Sequence, residues 1–334
     1  MAALFCGCTQ KNIPEKKNAP MENDIARVEE TREAMGTFVS VTAIHEDREV
    51  AKAAVDAAFE EIKRVNSVMS NYDPDSELSG VNGSGTSPVM ISDELYLVLW
   101  ESKKYSDMTG GAFDVTVGPL MKEWNRARAA ETAPDPQALA AARSRVGCRK
   151  MILDEKERTV RFETEGMEID LGAIAKGYAA DMAASIMRGK GVDNGLVNAG
   201  GDIVAFGHKQ DGAKWTIGLR DPANAGATVT EIEVSGMAVT TSGNYEKFIS
   251  SGGKKYSHIF DPRTGESSNC ISASVIAPTA IEADALSTSI CVMGPAQGME
   301  LVEKLKDAEA FLIDSEGNTY RSSGFNRYIV EGKE

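Results

Sequence analysis

Helix-period and strand-period segments follow one another along this chain in no regular order, and that mixture limits the folds open to it. Val50, Ala54, Ala58, Ile62, Val65 and Met69 recur at three- and four-residue steps. That is the spacing of one apolar helix face, so a helix is expected from about 47 to 69. Just before it, residues 37–44 are β-branched and partly alternating, the pattern of a strand. Ser92-Asp-Glu offers an N-cap and an acidic first turn to a helix reaching about 107. Residues 135–145 read as a short alanine-rich helix ended by Gly147, and 151–162 as a hairpin. The run 167–178 reads as a strand, a sharp turn and a helix to about 188. Strands are expected twice within 195–206, then at 215–219, 231–234, 237–240 and 271–277. Thr279 opens a helix to about Cys291, Pro295 opens another, and a hairpin around Ser315 ends the chain. Strands and helices never settle into a βαβ rhythm and no solenoid-scale repeat occurs, which points to α+β.

Charge narrows the partners. Lys and Arg total 36 against 50 Asp and Glu, a net charge of −14. A broad basic nucleic-acid surface is excluded. An anionic ligand would need a metal ion or a local cluster of N–H donors. Five cysteines in 334 residues do not make a disulfide framework, and Cys148, Cys270 and Cys291 read as small buried hydrophobes. With three histidines and no CxxC pair, a zinc site is disfavoured. The first ten residues resemble the tail of a bacterial lipoprotein signal, with Cys8 as the lipidated residue. Residues 11–24 are polar, with Pro14 and Pro20, and read as a disordered tether. The expectation is a leader remnant and tether over 1–24 and a body over 25–334, held by lipid at an extracytoplasmic membrane face.

Three constellations carry chemistry. Asp284, Ser287 and Thr288 stand at i, i+3 and i+4 of the helix beginning at Thr279. A carboxylate and two hydroxyls are hard oxygen donors suited to Mg²⁺; the alternative is a solvated helix face. Asp170-Leu-Gly-Ala-Ile-Ala-Lys176 feeds a helix through Gly172. Its free N–H groups suit an anion, with Lys176 in reach; the alternative is a plain helix start. His258 stands where a strand ends in Asp-Pro-Arg-Thr-Gly265, a suitable place for a base or for a structural histidine. The glycine run 80–85 lacks a dinucleotide fingerprint, and Ser257 has no GxSxG elbow around it.

Seven segments in order resemble one family: Met35-Gly-Thr, Ser70-Asn-Tyr-Asp-Pro-Asp-Ser-Glu-Leu-Ser79, Gly110-Gly-Ala-Phe-Asp-Val-Thr-Val-Gly-Pro119, Ile169-Asp-Leu-Gly-Ala-Ile-Ala-Lys-Gly-Tyr-Ala-Ala-Asp181, Asn198-Ala-Gly-Gly-Asp202, Tyr256-Ser-His-Ile-Phe-Asp-Pro-Arg-Thr-Gly265 and Ala283-Asp-Ala-Leu-Ser-Thr288. The chain is similar to the FAD:protein FMN transferases of the ApbE family from about residue 30 onward. The resemblance implies two intertwined sub-domains of mainly antiparallel sheet and helices, with FAD in the cleft between them. It implies that FAD is split at its pyrophosphate, that AMP leaves, and that FMN is joined to a Thr or Ser hydroxyl of an acceptor protein. Acceptors of the family are subunits of the Na⁺-translocating NADH:quinone reductase and Rnf-type complexes. By the same resemblance, Asp284, Ser287, Thr288 and the Ala173 carbonyl hold Mg²⁺, and His258 takes the proton of the incoming hydroxyl. Met35, Tyr72, Ala112, Phe113, Asp114, Asp170, Lys176 and Ile259 match flavin-binding positions. Lys176 is a departure, since the family varies there between acidic and basic residues. Two other activities fit the same residues: an FAD pyrophosphatase, with water replacing the acceptor, and a non-enzymatic FAD-binding lipoprotein.

Overall fold

A hairpin opens the described part of the chain, and the geometry of its turn comes from two left-handed residues. Strand β1 (Ala26–Ala34) pairs antiparallel with β2 (Thr37–His45), Ala34 lying opposite Thr37. Between them Met35 has φ 51° and Gly36 φ 71°, the backbone that a tight hairpin with right-handed strand twist requires. The structure is a computed structural model that describes residues 25–332 except 225, 245–247, 252–253, 258 and 269; the side chains of 245–258 also lie outside it.

Helix α1 (Arg48–Met69) follows, its Asp47 cap accepting from the Glu49 amide. A smaller part comes next: α2 (Glu77–Asn82), β3 (Val89–Met90), α3 (Asp93–Met108), α4 (Gly118–Ala129), α5 (Pro136–Arg143), β4 (Met151–Asp154) and β5 (Thr159–Phe162). The chain then returns to the larger part through α6 (Ala175–Gly189), β6 (Asn194–Ala199), β7 (Asp202–Phe206), β8 (Trp215–Arg220), β9 (Thr228–Val234) and β10 (Met237–Gly243). It ends with β11 (Phe248–Ser251), β12 (Lys254–Ser257), β13 (Ser272–Ala277), α7 (Ala280–Val302), β14 (Glu309–Ile313) and β15 (Thr319–Arg321).

The larger part is one eight-stranded sheet in the order β1-β2-β6-β7-β10-β13-β14-β15, antiparallel throughout. Helices α1, α6 and α7 pack against it and one another. Ala179, Ala180, Ala183 and Ala184 of α6 are buried, and such small residues let helix backbones approach. A separate apolar cluster joins the β8–β9 hairpin, through Trp215, Ile217, Leu219 and Ile232, to Val239, Ile276, Phe311 and Phe325. Sandwiched in this way, β13 is buried along its whole length. The smaller part carries the sheet β3-β5-β4. It is inserted between α1 and α6, so the two parts intertwine as the α+β reading expects, and a single apolar core runs through both. Trp124 of α4 stacks on Phe260 with centroids 6.3 Å apart and donates to the Gly265 carbonyl at 3.1 Å, tying the smaller part to the larger.

Short elements such as α2 and β3 were not expected, and four larger features also depart from the sequence reading. Strand β1 was not expected: Val28 is its one buried residue, and charged side chains mark it as a sheet edge. Helix α4 was not expected either, although Pro119 stands in its first turn, where proline is favoured. Residues 167–171 form no regular strand. Their backbone bonds go instead to the Gly118 amide (3.1 Å), the Val115 carbonyl (2.7 Å) and both ends of the Asn82 amide (2.7 and 2.9 Å). Finally, Cys270 and Cys291 are disulfide-bonded, with Cα atoms 5.2 Å apart, so they are not the free buried thiols expected; Cys148 is. The break in α7 matches expectation: Gly294 leaves helical geometry at φ 76° and Pro295 starts the next segment.

Candidate functional site

Separated stretches of backbone from both parts of the fold meet around a cavity of about 850 Å³. The β1–β2 turn contributes Met35, and a serine-rich loop after α1 contributes Tyr72. That loop is tied internally: Ser70 Oγ accepts from the Tyr72 and Asp73 amides (3.2 and 3.3 Å), and Ser79 Oγ donates to the Asp73 carbonyl (2.6 Å). Tyr72 is left 81% exposed at the rim, an aromatic face with no covering partner in the core. The turn leading into α6 contributes Asp170 and Ala173, the first turn of α6 contributes Lys176, segment 259–262 contributes Ile259, and α7 contributes Asp284 and Thr288.

Asp170 and Asp114 also line the cavity, but both hold their own loops. Asp170 accepts from the Gly172 amide (2.8 Å) and the Asn71 amide group (2.7 Å). Asp114 accepts from the Thr116 amide and hydroxyl (2.8 and 2.6 Å) and the Cys148 amide (2.8 Å); burial pushes its carboxyl up. Ala112 and Phe113 belong to the lining as well. The Phe113 ring is a core group, 2% exposed and edge-on to Tyr105 at 6.2 Å, so it is not a free stacking face. His258 lies outside the described residues, although the next residue, Ile259, lines the cavity.

The oxygen donors expected on α7 split in two. Asp284, 2% exposed, and Thr288 reach the cavity. Ser287 does not: it is fully buried, donates to the Asp284 carbonyl (3.0 Å) and shares a hydrogen bond with Ser242 Oγ (2.9 Å). Ser242 also bonds Thr288 Oγ1 (3.0 Å) and lines the cavity itself, so it is a hydroxyl of this site that sequence reasoning missed. Across the cleft, Gly177 departs from helical bonding. Its N–H donates to Asp284 Oδ2 at 3.1 Å, and among the described residues no backbone N–H donates to the Ala173 carbonyl four residues back. That bare carbonyl, one carboxylate and two cavity-facing hydroxyls form a hard donor set that fits Mg²⁺.

Beneath them sits a second carboxylate that sequence reasoning also missed. Asp202, 2% exposed, pairs with the Lys176 ammonium, which lies 3.7 Å from Asp284 Oδ2. Burial and then the Asp284 charge push the Asp202 carboxyl up; burial also raises Asp284. Burial pulls the lysine down, but the two carboxylates outweigh it and hold it above its ordinary range. The signal for Asp202 was the run Asn198-Ala-Gly-Gly-Asp202. Gly200 (φ 66°) and Gly201 (φ 102°) turn β6 into β7, and Asp202 is the first residue after them.

The sequence profile of the ApbE family matches residues 35–312. A protein of Klebsiella pneumoniae (strain 342), named FAD:protein FMN transferase, is 31% identical over 99% of this chain and 98% of its own length. One of the same name from Treponema pallidum is 32% identical over 90% of this chain and 88% of itself. Among solved structures, the ApbE protein of Thermotoga maritima superposes with a TM-score of 0.85 at 30% identity, covering 92% of this chain and all of that one. The flavin transferase ApbE of Vibrio cholerae gives 0.80 at 30% identity over 91% and 99%. With its fold and most of its length shared in this way, the chain belongs to the ApbE family.

Proposed function

We propose that this protein transfers FMN from FAD to a Thr or Ser hydroxyl of an acceptor protein, with Mg²⁺ as its metal and AMP as the leaving product. The observation that carries this reading is the meeting of two groups of residues on one cavity wall. Met35, Tyr72, Asp170 and Ile259, which suit an extended aromatic ligand, share it with Asp284, Thr288 and the free Ala173 carbonyl, which suit a metal. The cavity lies within the range of roughly 300–1,000 Å³ usual for cofactor sites.

The chain's residues divide the work. Tyr72 offers a stacking face at the rim, and Asp170 and Met35 flank the ring or ribose. Asp284, Thr288, Ser242 and the Ala173 carbonyl would hold Mg²⁺, with Ser287 bonding Ser242 from behind. When bound, the metal neutralises the charge on the pyrophosphate. The acceptor oxygen forms a bond to the FMN-side phosphorus while the bond to the AMP-side bridging oxygen breaks. His258 takes the hydroxyl proton.

Acceptor subunits of the Na⁺-translocating NADH:quinone reductase or Rnf type are the proposed partners. Lipid on Cys8 and residence at the extracytoplasmic face of the envelope belong to the same reading. The Cys270–Cys291 disulfide supports it, because such bonds persist in oxidising compartments.

The test is Asp284→Ala, assayed for AMP release from FAD with Mg²⁺ and, separately, for FAD binding by flavin fluorescence. AMP release is expected to be lost while FAD binding weakens less. Unchanged turnover contradicts the assignment.

A further inference from the structure

The metal reading leaves one cation unexplained. Lys176 lies on the cavity wall with its side chain 28% exposed, yet its ammonium is bonded to the buried Asp202 carboxylate. Among the described residues, Lys176 is the one donor to the Asp202 carboxylate. The 3.7 Å separation from Asp284 Oδ2 is beyond hydrogen-bond length. Asp284 instead takes its hydrogen bond from the Gly177 amide. The ammonium is therefore fixed to Asp202 and only electrostatically held by Asp284.

Two carboxylates, each 3% exposed at the side chain, share one positive charge. An uncompensated buried charge is costly, and among the described residues Lys176 supplies the positive charge beside both carboxylates. A divalent cation at Asp284 arrives beside a like charge. Like charges a few ångströms apart repel strongly in a site with little water.

We propose that Lys176 is a tethered cation competing with the metal: it neutralises Asp202 and Asp284 together in the metal-free protein and weakens divalent binding at Asp284. Asp202 is the anchor that keeps the ammonium from settling fully onto Asp284. Lys176 and Asp202 thereby set the metal affinity without being metal ligands. This rests on the reading of Asp284 and Thr288 as the Mg²⁺ site. One consequence follows for the reaction: the metal is held weakly until the negative pyrophosphate of FAD adds its own charge, so metal and substrate bind cooperatively.

The test is calorimetric titration of MgCl₂ into the metal-stripped full chain without FAD, with thermal melting of the metal-free forms in parallel. Lys176→Met is expected to bind Mg²⁺ at least tenfold more tightly than wild type and to melt lower when metal-free. Asp202→Asn is expected to bind more weakly, because the ammonium then falls onto Asp284. The double variant removes both charges of the pair, melts nearer wild type, and still binds more tightly than wild type. It carries the test if Lys176→Met does not fold. A purely structural ion pair predicts altered melting with unaltered Mg²⁺ affinity. Wild-type or weaker affinity in both lysine variants overturns the inference alone. No binding by wild type and variants alike refutes the metal site and the inference together.

Discussion

Gly177 decides whether the site exists. A Cβ built there would lie 2.2 Å from the Ala280 carbonyl oxygen and 2.9 Å from Asp284 Cβ, so α6 and α7 touch only because this position has no side chain. The same contact sends the Gly177 N–H to Asp284 and leaves the Ala173 carbonyl bare. Gly189, at the other end of the same helix, has nothing within 4 Å of its Cβ position. Gly177→Ala is expected to cost about 2 kcal/mol or more in urea unfolding, as overpacking against fixed backbone does. Gly189→Ala is expected to stay within about 1 kcal/mol of wild type. Equal effects from the two substitutions contradict this account of the helix contact. Met35 shows the converse economy. A non-glycine residue at φ 51° is strained, and the strain sits on the cavity wall, where such outliers concentrate.

Helix α7 carries Asp284 and Thr288, and it is held in place at both ends of the stretch that bears them. At its start, Asp181 of α6 accepts from the Ala280 and Ile281 amides, both at 2.9 Å, a cap supplied by another helix. Burial pushes the Asp181 carboxyl up to about 6, against the pull of those two amides. The folded state thus binds this proton more tightly than the unfolded chain. Stability from this group is greatest below about pH 4 and falls as pH rises through 6. Asp181→Asn removes the titration. The stability difference, wild type minus variant, is expected to shrink by about 2 to 3 kcal/mol between pH 4 and 7. Parallel pH profiles in urea unfolding contradict it. Further along, Cys291 of α7 is bonded to Cys270, and Ser268 Oγ donates to the Cys291 carbonyl at 2.8 Å. Both fasten segment 259–270, which brings Ile259 to the cavity, onto α7. Closing a loop of 21 residues' separation stabilises by about 3 kcal/mol on chain-entropy grounds. Replacing both cysteines by alanine is expected to lower stability by about that amount. An unchanged melt shows that the bond does not constrain the segment.

Local pattern revealed the elements whose stabilising contacts lie within their own residues. Helices α1 and α3, the Ser92 cap, the β6–β7 turn and the broken α7 were readable because apolar period, caps and proline lie in the segment itself. Strand β1 was hidden because an edge strand buries almost nothing, and 167–171 misled because side chains and loops replace its ladder partners. The disulfide and the Lys176–Asp202 pair were invisible for a different reason: each joins segments that only the completed sheet brings together. The site was legible as motifs, since Met35, Tyr72, Asp170, Lys176, Asp284 and Thr288 were each singled out. Their meeting around one cavity was implied only by the family resemblance and not by the motifs themselves, because it depends on the smaller part being inserted between α1 and α6. The most direct test of the whole account is mass spectrometry of an acceptor fragment carrying the Ser/Thr flavinylation motif. The fragment is incubated with the protein and FAD, with and without Mg²⁺, and AMP is assayed alongside. An FMN-sized mass gain on the acceptor is expected that requires Mg²⁺, matches the AMP released and slows in His258→Ala. AMP without a modified acceptor, or bound FAD with neither product, contradicts it.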